Sequence, residues 1–240
     1  MLEQTLGGLT VRLAGGTDRQ GGGDGPMVVL LHGFGAPGTD LVGLWRELRV
    51  PSETRFAFPE APHAVDLGIP GYSGRAWWDF DVEQLQQALE RGQLRALSEH
   101  LPDGLMEANQ RLTGMLDELE ARHRVPVGKL ILGGFSQGAM LSLDVALNSQ
   151  RSLAGLVLMS GMFIARERWE PLMPERKGLR VLMSHGRADP LLPFELADEL
   201  KGALEQAGLR VEFLAFNGAH TISGGVLDSL SKFISSAFEP

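Results

Sequence analysis

The chain has 240 residues, a formal net charge of -8 and no cysteine. The acidic balance argues against nucleic acid and anionic membrane surfaces as partners. The lack of cysteine excludes disulfides, thiol nucleophiles and cysteine-ligated metals, and it fits a reducing cytoplasm. No secretory signal and no apolar stretch long enough for a membrane anchor are present in the sequence.

The first 26 residues predict an opening strand at Thr10–Leu13 and a glycine-rich loop at Gly15–Pro26. This loop lacks the Lys-Ser/Thr ending of a phosphate-binding loop. No repeat or linker divides the chain, and its length suits one large α/β unit. We therefore expect residues 1–240 to form a single domain that includes residues 1–26.

Short, nearly continuous apolar runs alternate with segments of helical length along the rest of the chain. Such runs are typical of strands buried on both faces, as in a parallel sheet. The alternation predicts an α/β fold with a mostly parallel central sheet and helices on both faces. The predicted strands are Met27–His32, Arg55–Phe58, Lys129–Phe135, Gly155–Ser160, Arg180–His185 and Val211–Phe216, and the predicted helices are Leu105–His123, Ala139–Leu147, Phe194–Ala207 and Thr221–Phe238.

A segment of the form G-x-S-x-G lies between a predicted strand and a predicted helix, at Gly134–Gly138. In this context the serine lies on a sharp turn that exposes its hydroxyl above the sheet. The amino end of the following helix also favours negative charge that develops there. The pattern therefore predicts Ser136 as the nucleophile of an acyl-transfer reaction.

A serine hydroxyl needs a base, and the base needs an acid that orients it. With this turn the partners follow in the chain order Ser, acid, His. Among the six histidines, only His220 follows the last predicted strand, so we predict it as the general base. Asp189 lies just past an earlier strand and is the predicted acid, whereas Asp144 and Asp198 fall within predicted helices.

Acyl transfer also requires N–H donors for the oxyanion of the tetrahedral intermediate. Gln137 directly follows the predicted nucleophile and would supply one backbone N–H. Phe34, in the loop after an early strand, would supply the second. The sequence contains no metal-ligand motif and no dinucleotide-binding glycine pattern, so we predict no cofactor and no metal.

Six short segments occur in a fixed order from about Met27 to the end of the chain. They are Leu31–Gly35, Arg75–Asp79, Gly133–Gly138, Ser160-Gly161, His185–Pro193 and Gly218–His220. Through these segments the chain resembles the phospholipase/carboxylesterase family of α/β-hydrolases, which includes bacterial carboxylesterases and acyl-protein thioesterases. The resemblance implies an α/β-hydrolase fold without a large cap domain, a triad of Ser136, Asp189 and His220, and oxyanion donors at Phe34 and Gln137.

The resemblance implies a substrate among short-to-medium acyl esters, lysophospholipids and acyl thioesters. Two segments depart from the thioesterase branch, namely Gly35–Gly38, where that branch usually has Gly-Asp-Thr-Gly, and Leu67–Gly74. These departures favour a serine carboxylesterase that forms an acyl-enzyme over a lysophospholipase or an acyl-protein thioesterase. A lactonase or C–C hydrolase with the same triad, and a non-catalytic ligand-binding protein on the same fold, remain as alternatives.

Candidate acyl-contacting residues flank the strand ends where the motifs converge. We expect broad ester tolerance, since one methylene in an apolar pocket contributes only about 1–3 kcal/mol. The expected partner is a small-molecule acyl ester, the expected location is cytoplasmic, and the sequence leaves homodimer formation open. The candidates are Trp77, Trp78, Met162, Phe163, Leu191 and Leu192, with at least one of the two adjacent tryptophans expected to serve packing.

Overall fold

A computed structural model describes residues 1–80 and 82–239, without the side chains of residues 82–84. Its central feature is a nine-stranded sheet. The strands of this sheet are β1 (Leu2–Leu6), β2 (Leu9–Gly16), β3 (Gln20–Gly22), β4 (Met27–Leu31), β5 (Arg55–Pro59), β8 (Leu130–Phe135), β9 (Gly155–Met159), β10 (Arg180–Gly186) and β11 (Arg210–Phe216), and a separate hairpin is formed by β6 (His63–Val65) and β7 (Gly74–Ala76).

The strands lie in the order β1-β2-β5-β4-β8-β9-β10-β11, with β3 beside β2. From β5 to β11 all neighbours are parallel, whereas β1 and β2 pair antiparallel, as do β2 and β5. The prediction of a mostly parallel sheet is confirmed. Each strand predicted after residue 26 has bounds within one residue of those observed.

Successive side chains of each strand point to opposite faces of the sheet, so strands that are apolar throughout give the sheet two apolar faces. Helices cover both of them. In β4, Met27, Val29 and Leu31 contribute to one core layer, and Val28 and Leu30 to the other. The first layer lies under α4, α5 and α7, and the second under α1 and α8. The helices are α1 (Leu44–Glu47), α2 (Val82–Glu90), α3 (Leu94–Glu99), α4 (Leu105–His123), α5 (Gln137–Asn148), α6 (Arg166–Trp169), α7 (Phe194–Gln206) and α8 (Gly224–Phe238), with 3-10 turns at Asp40–Gly43 and Glu170–Arg176.

The N-terminal region differs from the prediction. The strand expected at Thr10–Leu13 extends over Leu9–Gly16, and a second strand precedes it. The expected loop at Gly15–Pro26 contains β3, which pairs parallel with the end of β2. The reason is a local turn in which one Asp18 carboxylate oxygen accepts the N–H groups of Gln20 and Gly22, at 2.7 and 2.8 Å. This turn brings the chain back beside β2.

The C-terminal helix begins three residues later than predicted, at Gly224 rather than Thr221. Ser223 is its N-cap, and the hydroxyl accepts the N–H of Val226. Residues 217–223 are therefore a loop between β11 and α8, which leaves His220 outside regular structure. Within the described part of the chain, no helix combines the length and the hydropathy that a bilayer crossing requires.

Candidate active site

Ser136 lies on a sharp turn between β8 and α5, with φ 56° and ψ -119°. This backbone conformation is strained for a residue with a side chain and is found mostly at functional sites. The turn packs tightly on β4, since a Cβ atom on Gly134 would lie 2.6 Å from the Leu31 carbonyl oxygen, and one on Gly138 would collide with the same group. Only glycine fits at these two positions of the motif.

Asp189 and His220 follow two neighbouring parallel strands. Gly186 at the end of β10 is in register with Phe216 at the end of β11, so the two loops leave the sheet at one edge. Asp189 Oδ2 lies 2.6 Å from His220 Nδ1. An ionised carboxylate can only accept, so Nδ1 of His220 carries a hydrogen, and in the neutral imidazole this leaves the lone pair on Nε2.

The Asp189 carboxylate is also held by its own loop. Its Oδ1 accepts the backbone N–H groups of Leu191 and Leu192, both at 2.9 Å. Burial opposes ionisation of this group, but the hydrogen bonds from His220, Leu192 and Leu191 outweigh it, and the pKa of Asp189 lies below its usual value. The carboxylate is therefore charged and fixed in orientation at neutral pH.

Ser136 and His220 lie on the wall of one cavity of about 160 Å³. The imidazole of His220 also packs against the Phe135 ring, with 4.7 Å between the ring centroids. Among the described residues no hydrogen bond joins Ser136 Oγ to His220, and such contacts often tighten only when substrate binds. The remaining wall is mainly apolar and consists of Gly33, Phe34, Ala36, Asp40, Phe80, Leu85, Gln137, Met140, Leu191 and Leu192.

The two predicted oxyanion donors, Phe34 and Gln137, lie on the same cavity wall. Neither backbone N–H bonds to an acceptor among the described residues. Trp77 Nε1 donates to the carbonyl oxygen of His32 at 2.9 Å, so the start of the loop is anchored away from the cavity. Both N–H groups are therefore unoccupied by acceptors of the described chain, a condition that an oxyanion donor must meet.

Most of the chain is similar to proteins of one known family. Residues 21–238 match the family model described as Phospholipase/Carboxylesterase. The chain belongs to the phospholipase/carboxylesterase family. It is a serine hydrolase of the carboxylic ester class.

Relatives of this hydrolase carry two kinds of name. It is 26% identical over 215 residues to acyl-protein thioesterase 1 of Neurospora crassa, covering 86% of this chain and 84% of the relative. The chain is 29% identical over 212 residues to a probable carboxylesterase of Oryza sativa subsp. japonica, and the match covers 87% of this chain and 76% of the relative. The crystal structure of esterase PE8 matches with a TM-score of 0.77 at 28% identity, covering 95% of this chain and 99% of that one.

The hydrolase buries both tryptophans that were candidates for acyl contact. Trp77 and Trp78 are each 1% exposed. Their backbone is bound by the Gln137 side chain, whose Oε1 accepts the Trp77 N–H and whose Nε2 donates to the Trp78 carbonyl, both at 2.9 Å. The pair therefore supports the turn that carries Ser136 and does not line its cavity.

The other four candidates divide between three places. Leu191 and Leu192 line the cavity that holds Ser136. Phe163 is fully buried and stacks on Trp169, with 6.1 Å between centroids. Met162 lines a second cavity, of about 650 Å³, that shares Phe80 and Leu85 with the first.

Several wall residues were not predicted from the sequence. Met140 lies one helical turn after Ser136, and this spacing on α5 could have indicated that it faces the cavity. Phe80 and Leu85 follow the tryptophan pair, and neither was considered as a cavity residue, although Leu85 lies in α2, an amphipathic helix.

A second imidazole lies behind the predicted acid. His185 is fully buried, and its Nε2 is 2.9 Å from the Leu192 carbonyl oxygen and 3.4 Å from Asp189 Oδ2. Burial lowers the pKa of His185, which keeps the ring neutral. Its Nε2–H therefore donates to the Leu192 carbonyl oxygen, and this bond helps hold the loop whose N–H groups bind Asp189.

Proposed function

We propose that the protein is a serine carboxylesterase that hydrolyses short-chain acyl esters through an acyl-enzyme. Ser136 would be the nucleophile, His220 the general base and Asp189 the acid that orients the imidazole. The observation that carries the proposal is the 2.6 Å contact between Asp189 and His220, on an imidazole that shares a cavity with Ser136. These roles are the ones that the three groups hold in other serine hydrolases.

In the first half of the reaction, Ser136 Oγ attacks the ester carbonyl carbon while Nε2 of His220 takes the hydroxyl proton. The charged Asp189 stabilises the imidazolium, and the N–H groups of Phe34 and Gln137 donate to the oxyanion. His220 then returns the proton to the departing alcohol. In the second half, water attacks the carbonyl carbon of the acyl-enzyme while Nε2 of His220 takes its proton. His220 then returns the proton to Ser136 Oγ, which releases the acid and restores the hydroxyl.

The size of the cavity supports short acyl groups. Its volume is about 160 Å³, and an apolar cavity of roughly 150 Å³ holds a benzene ring of six carbons. The space therefore suits acyl chains of about four to six carbons. Longer chains would meet Phe80 and Leu85, which separate this cavity from the larger one beyond.

Acyl-protein thioesterase activity is the second candidate, because several relatives carry that name. A thioester uses the same nucleophile, base and oxyanion donors, and only the leaving group changes. The small cavity weighs against a long fatty acyl group as the substrate. A lysophospholipase would face the same size limit.

The test is kcat/KM for p-nitrophenyl esters from acetate to palmitate, measured beside butyryl-CoA and lysophosphatidylcholine. We expect a maximum at butyrate or hexanoate and lower values for the thioester and the lipid. Ser136→Ala serves as the control for background hydrolysis. A maximum at palmitate would support a lipase instead. A thioester preferred over the matched ester would support a thioesterase.

A further inference from the structure

The oxyanion loop, residues 33–38, rests on a group of three charged side chains outside the catalytic cavity. Glu60 lies between two arginines, with Oε2 at 2.8 Å from Arg12 Nη1 and Oε1 at 2.7 Å from Arg75 Nη2. The side chains of Glu60 and Arg12 are only 16% and 12% exposed. A pair this protected from solvent holds its geometry better than an exposed ion pair does.

Both arginines also bind the backbone of the oxyanion loop. Arg12 Nη1 donates to the Gly38 carbonyl oxygen at 3.2 Å. The backbone of Arg75 exchanges two hydrogen bonds with the loop, since Gly35 N–H donates to the Arg75 carbonyl at 2.8 Å and Arg75 N–H donates to the Ala36 carbonyl at 3.0 Å. The first bond comes from the N–H of the peptide unit that follows Phe34, and the second accepts at the carbonyl of Ala36, two residues after Phe34.

Glu60 also touches the loop directly. A Cβ atom on Gly38 would collide with its carboxylate, so the loop passes against Glu60 with no room for a side chain. The backbone of Glu60 is fixed independently, because its N–H donates to the Thr10 carbonyl at 2.8 Å. Glu60 thus connects β2 to the middle of the oxyanion loop through Arg75 and to its last residue through Arg12.

We infer that Glu60 is a positioning residue for the oxyanion hole, acting through Arg12 and Arg75 on the backbone N–H of Phe34. This inference rests on the proposed function, in which that N–H stabilises the transition state. A carboxylate suits the role because it offers one acceptor oxygen to each arginine. An amide has a single acceptor oxygen and would direct its NH2 group at the other arginine.

A positioning role and a purely structural role of Glu60 change different kinetic constants. A displaced oxyanion donor reduces the stabilisation of the transition state, which lowers kcat. Ground-state binding of the ester, and with it KM, stays the same. A general loss of stability would instead lower the amount of active protein and change neither kcat per active site nor KM. The two roles are therefore separated by measuring kcat per active site and KM individually. A positioning role lowers kcat alone, and a structural role changes neither constant.

The test compares Glu60→Gln with Glu3→Gln. Glu3 is the other partner of Arg12, at 3.1 Å, but its side chain is 58% exposed and it does not touch the loop. Kinetics with p-nitrophenyl butyrate are normalised by active-site titration with a fluorophosphonate. For Glu60→Gln we expect kcat to fall about 10-fold to 100-fold with KM within about twofold, and Glu3→Gln to match wild type.

Two further measurements keep the test decisive. A butyl trifluoromethyl ketone, which forms a tetrahedral oxyanion on the serine, should lose affinity for Glu60→Gln by the same factor as kcat/KM. Glu60→Asp, which keeps two acceptor oxygens, should recover part of the activity. If Glu60→Gln does not fold, Arg75→Gln carries the same expectation, since it removes one of the two contacts at a partly exposed position.

Wild-type kcat and ketone affinity in Glu60→Gln, or in Arg75→Gln if Glu60→Gln does not fold, would overturn the inference. So would a loss confined to KM. Either outcome would leave the proposed function standing, because that function is tested by Ser136→Ala in the same assay. A wild-type protein that hydrolyses no ester would instead remove the proposed function.

Discussion

Replacing Asp189 by asparagine tests the hydrogen-bond order of the site without changing its shape. Two N–H donors, from Leu191 and Leu192, converge on Oδ1 at 2.9 Å. Because they require an acceptor, the oxygen of the new amide must take this position. The NH2 group then faces His220 Nδ1, where the carboxylate now accepts at 2.6 Å.

The substitution changes which nitrogen of the His220 imidazole carries the hydrogen. With an N–H donor opposite it, Nδ1 must become the acceptor, and the hydrogen moves to Nε2. A ring in that tautomer cannot take the proton of Ser136. The corresponding change in a protease triad lowers kcat by about 10⁴, which is about 5 kcal/mol of transition-state stabilisation.

The assay is kcat for p-nitrophenyl butyrate hydrolysis at pH 7.5, with thermal unfolding measured in parallel. We expect Asp189→Asn to unfold at a temperature close to that of wild type, because the two backbone contacts at Oδ1 persist. Activity within tenfold of wild type, in protein shown to be folded, would refute the reasoning. Another acid would then have to orient His220.

Three further predictions concern specificity and stability. Phe80→Ala joins the two cavities, so the ratio of kcat/KM for laurate to that for butyrate should rise about tenfold; an unchanged ratio would show that Phe80 does not limit chain length. Burial lowers the pKa of His32 and of His185, so the unfolded chain binds protons below pH 6.5 that the folded chain does not. Unfolding free energy should therefore fall as pH drops from about 6.5 towards the folded pKa values, by up to about 1.4 kcal/mol per pH unit for each ring. Urea titrations of wild type and His185→Gln at several pH values measure this slope, which should be shallower in the variant. Asp144→Ala leaves Arg168 and Trp169 without the buried carboxylate that binds each at 2.8 Å, and we expect a loss of about 3–5 kcal/mol in the same titrations; a loss under 1 kcal/mol would contradict it.

The parallel part of the fold is predictable from sequence because each of its strands is a nearly continuous apolar run. α4 is predicted with its observed bounds, Leu105–His123, since its buried residues recur at three- and four-residue spacing. β1 and β3 were missed for the opposite reason. β1 is mostly exposed, and β3 depends on a side-chain turn at Asp18, so neither has an apolar pattern of its own.

The site is predictable to the extent that it follows strand ends. Ser136, Asp189 and His220 each follow a parallel strand, and such loops meet at one edge of the sheet. The tryptophans could not be placed in this way, because their burial depends on contacts with Gln137 and His32, which are distant in the chain. The single-domain organisation and the cytoplasmic location stay predictions.

The most direct test of the central claim is the site of covalent labelling by a fluorophosphonate. Intact-protein mass spectrometry should show one adduct per chain, peptide mapping should place it on Ser136, and esterase activity should fall in proportion to labelling. Ser136→Ala should remain unlabelled. An adduct on a different residue, or full activity in fully labelled protein, would contradict the account.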